Sequence, residues 1–304
     1  MSRRGWALFV TMSIIWGVPY LLIKVAVEEL SPASLVLLRC ALSAAVLLPW
    51  AVARGEVRPV LRHWKPLLLF TVLEMTGPWL LLAYAERSLS SSLTGLLIAL
   101  VPVVAALAGR LAGEQDRFDA VRLLGMALGL LGVGAVLGLD LRGGQGLAVA
   151  AVALVVLGYG TAPLIVTRSL SGVPSTGISA VALTLTALVY LPSGAGPLVR
   201  DGLPSGRVVV AVALLALVCT VAALLLFFAL IREVGPNRAL AITFVNPAVA
   251  VLVGIVVLSE PVTAGMLVGF PLVLLGCVLA TRRSRPRNAN PPQEQLISEP
   301  VSRG

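Results

Sequence analysis

Few residues in this chain carry reactive groups, and those few stand inside apolar runs. Glu74 lies near the middle of one, FTVLEMTGPWLLLAY. An ionisable side chain at that depth in hydrocarbon is costly and must face protein or a wet cavity. Two readings follow: Glu74 binds a substrate cation or a proton, or it is the counter-ion of Arg39. Arg39 lies in another run, LVLLRCALSAAVLLP, without an acid of its own, and is read as a structural charge that needs an acid or carbonyls. Antiparallel neighbours would put the two at depths about five residues, or ~8 Å, apart. Trp16 and Tyr20, four residues apart, share a helix face, with Lys24 one turn further. The first two are read as an aromatic cavity wall and Lys24 as an interfacial anchor.

Pro78, Pro102 and Pro247 lack an N–H and free the carbonyls four residues back, at Glu74, Ile98 and Thr243. Such interruptions are tolerated where a cavity or a neighbour satisfies the carbonyl. Asn246, beside Pro247, could bond substrate or join two helices at about 1 kcal/mol. Thr94, Tyr159 and Thr243 complete the candidate substrate-binding set. No catalytic or metal-binding set emerges. Cys40, Cys219 and Cys277 fall in apolar runs, His63 is the single histidine, and there is no GxxxxGK[ST] motif. The expectation is no metal, no cofactor and no enzyme.

The elements that must hold these residues are membrane helices. The 304 residues are 58% hydrophobic and 12% charged, with a mean hydropathy of +0.99. A soluble domain would carry about twice that charged fraction. The apolar runs are long enough to cross a ~30 Å hydrocarbon core and do not alternate as barrel strands would. Ten spans are predicted: 5–27, 33–53, 66–86, 92–111, 121–139, 147–166, 176–196, 208–231, 239–258 and 264–280. The first is too long for a signal peptide and is read as retained. Of the 23 Lys and Arg residues, seventeen fall near span ends on the side shared by both termini and five on the other, leaving Arg39 within a span. That bias places both termini in the cytoplasm. The net charge of +9 is assigned to this topology rather than to nucleic acid.

The chain also nearly repeats itself. Trp16-Gly17 falls on Tyr159-Gly160, Pro102 on Pro247, Gly125 on Gly269 and Gly132 on Gly276, at offsets of 143 to 145 residues. Both copies of the Pro-containing run close on a carboxylate, Glu114 and Glu260. Five spans per half is an odd number, so the second half enters from the opposite side. Inverted repeats of this kind recur in secondary transporters, with the site near the midplane. The expected organisation is 1–140 and 141–283 as five-helix repeats and 284–304 as a disordered cytoplasmic tail. The GxxxG pairs Gly125/Gly129, Gly134/Gly138 and Gly265/Gly269 are read as packing within each half, with dimerisation as the second reading.

The sequence resembles the drug/metabolite transporter superfamily, in particular its EamA-type members. The resemblance rests on Trp16-Gly17, Arg39 in the second span, the Pro…Glu runs of the fourth and ninth spans, and the glycine-rich fifth and tenth. It covers nearly all of residues 5–281. Arg110, in GRLAGEQ, departs from the family's usual apolar residue. The resemblance implies an all-α integral membrane protein of ten helices around a central cavity. It also implies export of small metabolites, amino acids or toxic compounds. The partners expected are the lipid bilayer and a small-molecule substrate, with no nucleic acid, the protein being a monomer or homodimer in a bacterial inner membrane. An intramembrane enzyme and a non-transporting sensor or assembly factor are the rival classes.

The orientation yields a direct test. Reporter fusions after Arg62 and after Arg283 should both report cytoplasm, and a fusion after Arg142 the opposite side. Termini on opposite faces would remove the ten-span count and the inverted repeat together.

Overall fold

The computed structural model describes residues 1–113, 119–140, 144–202, 204–235, 239 and 242–280. Glu114, the tail assigned to 284–304, and the basic residues Arg117, Arg142, Arg238 and those beyond 280 lie outside the described residues. Among the described residues the regular structure is helical. Eight helices are long and apolar enough to cross a membrane: α1 (Arg3–Ala26), α2 (Pro32–Ala53), α3 (Trp64–Ala85), α4 (Ser91–Leu111), α5 (Ala120–Leu139), α6 (Gly146–Ser169), α7 (Ser175–Asp201) and α8 (Gly206–Val234). Two shorter apolar helices follow, α9 (Ile242–Leu258) and α10 (Ala264–Ala280). The protein is thus a ten-helix, all-α membrane protein. A short helix, Val57–Arg62, occupies what the sequence presents as a connection.

Helix starts follow from local chemistry. Ser2, Ser31 and Ser90 each accept the backbone N–H three residues on, at 2.9, 3.1 and 3.2 Å. These bonds satisfy donors that a helix N-terminus leaves open. Pro32 occupies the first turn of α2, where its missing N–H costs nothing.

Four helices depart from regular α geometry, and the causes are visible. In α1 the helix runs to Gly17 and restarts at Pro19. In α4 it stops at Ile98 and restarts at Val101, with Pro102 in the new first turn. The Ala99 carbonyl at that break accepts the Cys277 thiol of α10 at 2.8 Å. In α3 a wide π turn covers Val72–Thr76, just before Pro78, which cannot donate to the Glu74 carbonyl. In α8 a longer π segment covers Leu214–Ala222. There the Thr220 hydroxyl bonds the Leu215 carbonyl five residues back at 2.8 Å.

Helix pairing has a simple rule. α5 packs on α10, α2 on α7, and α4 on α9; α3 packs on α6 as α1 does on α8, and α4 on α6 as α1 does on α9. Advancing every helix by five maps this set onto itself. Individual contacts obey the same rule. A Cβ on Gly17 would lie 2.5 Å from Val249 Cγ1, and one on Gly160 would lie 2.5 Å from Val104 Cγ1. On the α5–α10 seam, a Cβ on Gly132 would lie 2.8 Å from Val273 N. Its counterpart, Gly276, would meet the Gly129 Cα at 2.7 Å.

These glycines correct one expectation. The seam of Gly125, Gly129 and Gly132 against Gly269 and Gly276 joins one half to the other, rather than packing within a half. The reason is that lipid tails are as apolar as leucine, so helix association depends on close backbone approach. The broadest apolar surfaces of α5 and α10 are left outside; Leu131 and Leu267 are 64% and 66% exposed. A side chain at Gly134 or Gly138 would meet nothing within 4 Å.

The seam is open to a paired substitution. Gly276→Leu should destabilise the protein by at least the ~1–3 kcal/mol typical of overpacking, because it drives a side chain into backbone. Gly134→Leu should be nearly neutral. Thermal unfolding of the purified variants gives the comparison, and equal behaviour would refute the seam as described.

Candidate functional site

Arg39 of α2 is 8% exposed. Its Nε donates to Thr220 Oγ1 of α8 at 3.2 Å, and its guanidinium carbon stands 3.7 Å from the centroid of the Trp79 ring of α3. Thr220 serves as acceptor because its own proton goes to the Leu215 carbonyl, through the π segment that turns the residue inward. Ser43 of α2 donates to the Ala216 carbonyl in the same segment at 3.1 Å. The wide turn is therefore held by hydroxyls from two helices.

The rest of the cluster comes from α1, α3 and α6. Tyr20 and Tyr159 stand within electrostatic reach of Arg39. Tyr159 also reaches Glu74 and lies beside Trp79. Glu74 is in the π turn of α3, half-buried, with Pro78 packed towards Gly158 of α6. The α3 backbone is fixed behind it: the Tyr190 hydroxyl of α7 donates to the Thr76 carbonyl at 2.7 Å, and the Thr76 and Thr186 hydroxyls share a bond of 2.9 Å. One cation, one carboxyl and three aromatic rings thus converge from both halves of the chain.

Among the described residues no ion pair joins Arg39 to Glu74. The pairing that the sequence allowed is replaced by a hydroxyl and an aromatic face, which leaves both charged groups without an opposite charge in contact. A cation over a tryptophan face is worth about 2 kcal/mol when desolvated. That is less than a buried ion needs for full compensation.

Other candidates fall elsewhere. Trp16 packs with Phe227 of α8, ring centroids 4.9 Å apart, in an apolar cluster with Met12 and Leu230. It fills the contact between α1 and α8. The Asn246 amide faces the Ile242 and Ser13 carbonyls at 2.9 and 3.3 Å, and with its nitrogen assigned to that side it donates to both. Those bonds make it a join between helices. Pro247 lies within a continuous α9, and Thr243 is half-buried one turn before it. Pro102 opens the second segment of α4, and Thr94 is fully buried near the start of the same helix. Lys24 is not a free interfacial anchor, for its ammonium bonds the Glu86 and Leu89 carbonyls at 2.6 and 2.7 Å.

Trp79 and Thr220 were not anticipated. Each had a signal: Trp79 directly follows the proline that widens α3, and Thr220 is the single hydroxyl in the run VVVAVALLALVCTVAALLLFFALI.

Against this geometry, a sequence profile of the EamA-like transporter family matches residues 3–138 and again 146–282. The chain belongs to the EamA-like transporter family. The two matched stretches contain α1 to α5 and α6 to α10, so the family unit occurs twice, as the pairing rule requires. Curated relatives are named "uncharacterized inner membrane transporter YedA" in Escherichia coli strain K12 and in the O6:H1 strain CFT073. Each is 27% identical over 286 residues, covering 90% of this chain and 89% of the relative. A solved crystal structure superposes with a TM-score of 0.63 over 92% of this chain and 97% of its own, at 18% identity, which shows a shared fold.

The Arg39 contact can be tested without knowing a substrate. Thr220→Val keeps the shape but removes the acceptor and should cost about 1–3 kcal/mol; Thr220→Ser should restore most of it. Equal unfolding temperatures for the two variants would count against the bond.

Proposed function

We propose that this protein is a secondary transporter of a bacterial inner membrane that exports small zwitterionic metabolites, amino acids among them, by alternating access. The observation that carries the reading is Arg39, a buried cation offered a hydroxyl and an aromatic face but no carboxylate. A substrate carboxylate would complete it with charge-assisted bonds. Glu74, within electrostatic reach of Tyr159, would take the substrate's ammonium. Tyr20, Tyr159 and Trp79 would supply the walls.

The halves 1–140 and 141–283 then act as an inverted repeat with both termini cytoplasmic. Contacts made twice under a five-helix shift support it, because two equivalent halves can exchange conformations and so exchange the open side. The breaks in α1, α3, α4 and α8 are the places where such an exchange costs least backbone hydrogen bonding. Five helices from both halves supply the site, and the match to a transporter family favours a carrier over an enzyme. The partners of this reading are the bilayer and the substrate, with the protein working as a monomer or homodimer.

Counterflow in proteoliposomes with a panel of radiolabelled amino acids tests it. At least one should exchange above protein-free liposomes. Arg39→Gln should weaken that exchange by about 10- to 100-fold, the worth of a charge-assisted bond, and Glu74→Gln should weaken it for zwitterions more than for simple carboxylates. Undiminished exchange by Arg39→Gln would overturn the site.

A further inference from the structure

Glu86, the residue that follows α3, is fully buried, and neither of its carboxylate oxygens has a hydrogen-bond partner. Its surroundings come from four other helix ends. From α1, Lys24 spends its ammonium on the Glu86 and Leu89 carbonyls, and Tyr20 stands within electrostatic reach. From the start of α4 come Ser91, Ser92 and Thr94, all fully buried, with the Thr94 hydroxyl given to the Ser90 carbonyl at 3.0 Å. From beyond α9, Glu260 crosses to the N-terminus of α4. It accepts Ser91 N at 2.7 Å, Ser92 N at 3.0 Å and the Ser92 hydroxyl at 2.5 Å. The α6 side contributes the neutral Gln145, whose amide donates to the Ser88 carbonyl at 2.8 Å. The charged groups facing Glu86 are therefore Lys24 and Glu260.

Two carboxyls and one ammonium share this space, and their surroundings separate them. Glu260 holds three donors at a helix N-terminus, where a negative charge is stabilised. Among the described residues Glu86 has no hydrogen-bond partner of regular geometry, the Thr94 hydroxyl within its reach being turned to the Ser90 carbonyl, and a charged carboxyl so placed away from water is among the costliest groups a protein can hold. The closed packing therefore suits a neutral Glu86. Water does not reach the group in this packing, for Glu86 is 0% exposed, and the Glu260 contact beside it is tight, a Cβ at Gly254 lying 2.5 Å from Glu260 Oε2.

We propose that Glu86 is a proton-binding site that governs a latch between α4 and α9. With the proton bound, Glu260 rests on the α4 N-terminus and this end of the bundle is closed. Loss of the proton to water requires the end to open and breaks the Glu260 contacts. In a carrier of the kind proposed above this makes the proton the coupling ion, a use that rests on that reading; the proton site and the movement do not.

The test measures movement, not transport. Nitroxide labels on Arg87→Cys and Val262→Cys, in protein carrying Cys40→Ala, Cys219→Ala and Cys277→Ser, report the separation of the two ends in lipid nanodiscs. Between about pH 5 and pH 9, a range that spans an ordinary and a strongly perturbed carboxyl, the distance distribution of this parent should shift to longer values. Adding Glu86→Gln should hold the short distance at both pH values, and adding Glu260→Gln should give the long one at both. A parent that ignores pH overturns the proposal, as does a Glu86→Gln variant that still follows it. So does failure of Glu86→Gln to fold, because a neutral isostere must fit the closed packing. A pH-driven opening in protein that exchanges no labelled amino acid would sink the transporter reading and leave the latch. Amino-acid exchange with a pH-invariant distance would do the reverse.

Discussion

Close approach of backbones across the two halves is the contact on which the rest depends. Hydrocarbon gives helices no hydrophobic reason to associate, so α5 and α10 are held by the depth to which glycine lets them sink together. With a Cβ at Gly132 or Gly276 meeting backbone at under 3 Å, the seam admits no larger residue. The same is true where Gly17 meets α9 and Gly160 meets α4. These joins set the distance between halves, and that distance decides whether Arg39 of the first half can reach Thr220 of the second.

Departures from α geometry are placed by the same economy. Breaks strand backbone groups that lipid cannot satisfy, and those of α3, α4 and α8 are each met by a specific side chain. Cys277 serves the break in α4, Ser43 and Thr220 the wide segment of α8, and Tyr190 the end of the π turn in α3. The turns in α3 and α8 arise by different means, a proline in one and a threonine hydroxyl in the other. They nevertheless occupy corresponding places in the two halves, the one in α8 holding Thr220 against Arg39 and the one in α3 carrying Glu74. Irregular backbone is thus concentrated around the polar cluster, where it lines the proposed path rather than facing lipid.

At the other polar focus the sequence presents charges that look like ordinary span ends. Lys24, Glu86 and Glu260 all sit where helices meet the interface, and each would pass as a topological marker. Folded, they form one cluster in which two charges are fully satisfied and one carboxyl is not. Such an imbalance is rarely left in place by packing alone, and it is the reason this end of the bundle reads as a moving part.

Much of the architecture was legible from the chain. Hydropathy alone delivers ten spans with edges close to those observed, because crossing hydrocarbon leaves a run of some twenty apolar residues no alternative. The internal alignment anticipated that Gly132 and Gly276 are equivalent, and the isolated charges Glu74 and Arg39 marked two members of the central cluster. Partner choice was not legible. Whether Arg39 would meet Glu74, a hydroxyl or a ring depends on rotation of α2 against α3 and α8, and hydropathy carries no information about rotation. The rotations of α1 and α9 likewise turn Trp16 and Asn246 to other contacts, while those of α3 and α8 bring Trp79 and Thr220 to Arg39. Local sequence determined which segments enter the membrane, since that follows from transfer energy, but not every bend, since Pro78 and Pro102 mark irregular turns while Pro247 sits in a continuous helix and α8 widens without a proline. Which polar groups face one another was decided only by tertiary packing, because in lipid the contacts that orient helices are short-range and come from residues far apart in the chain.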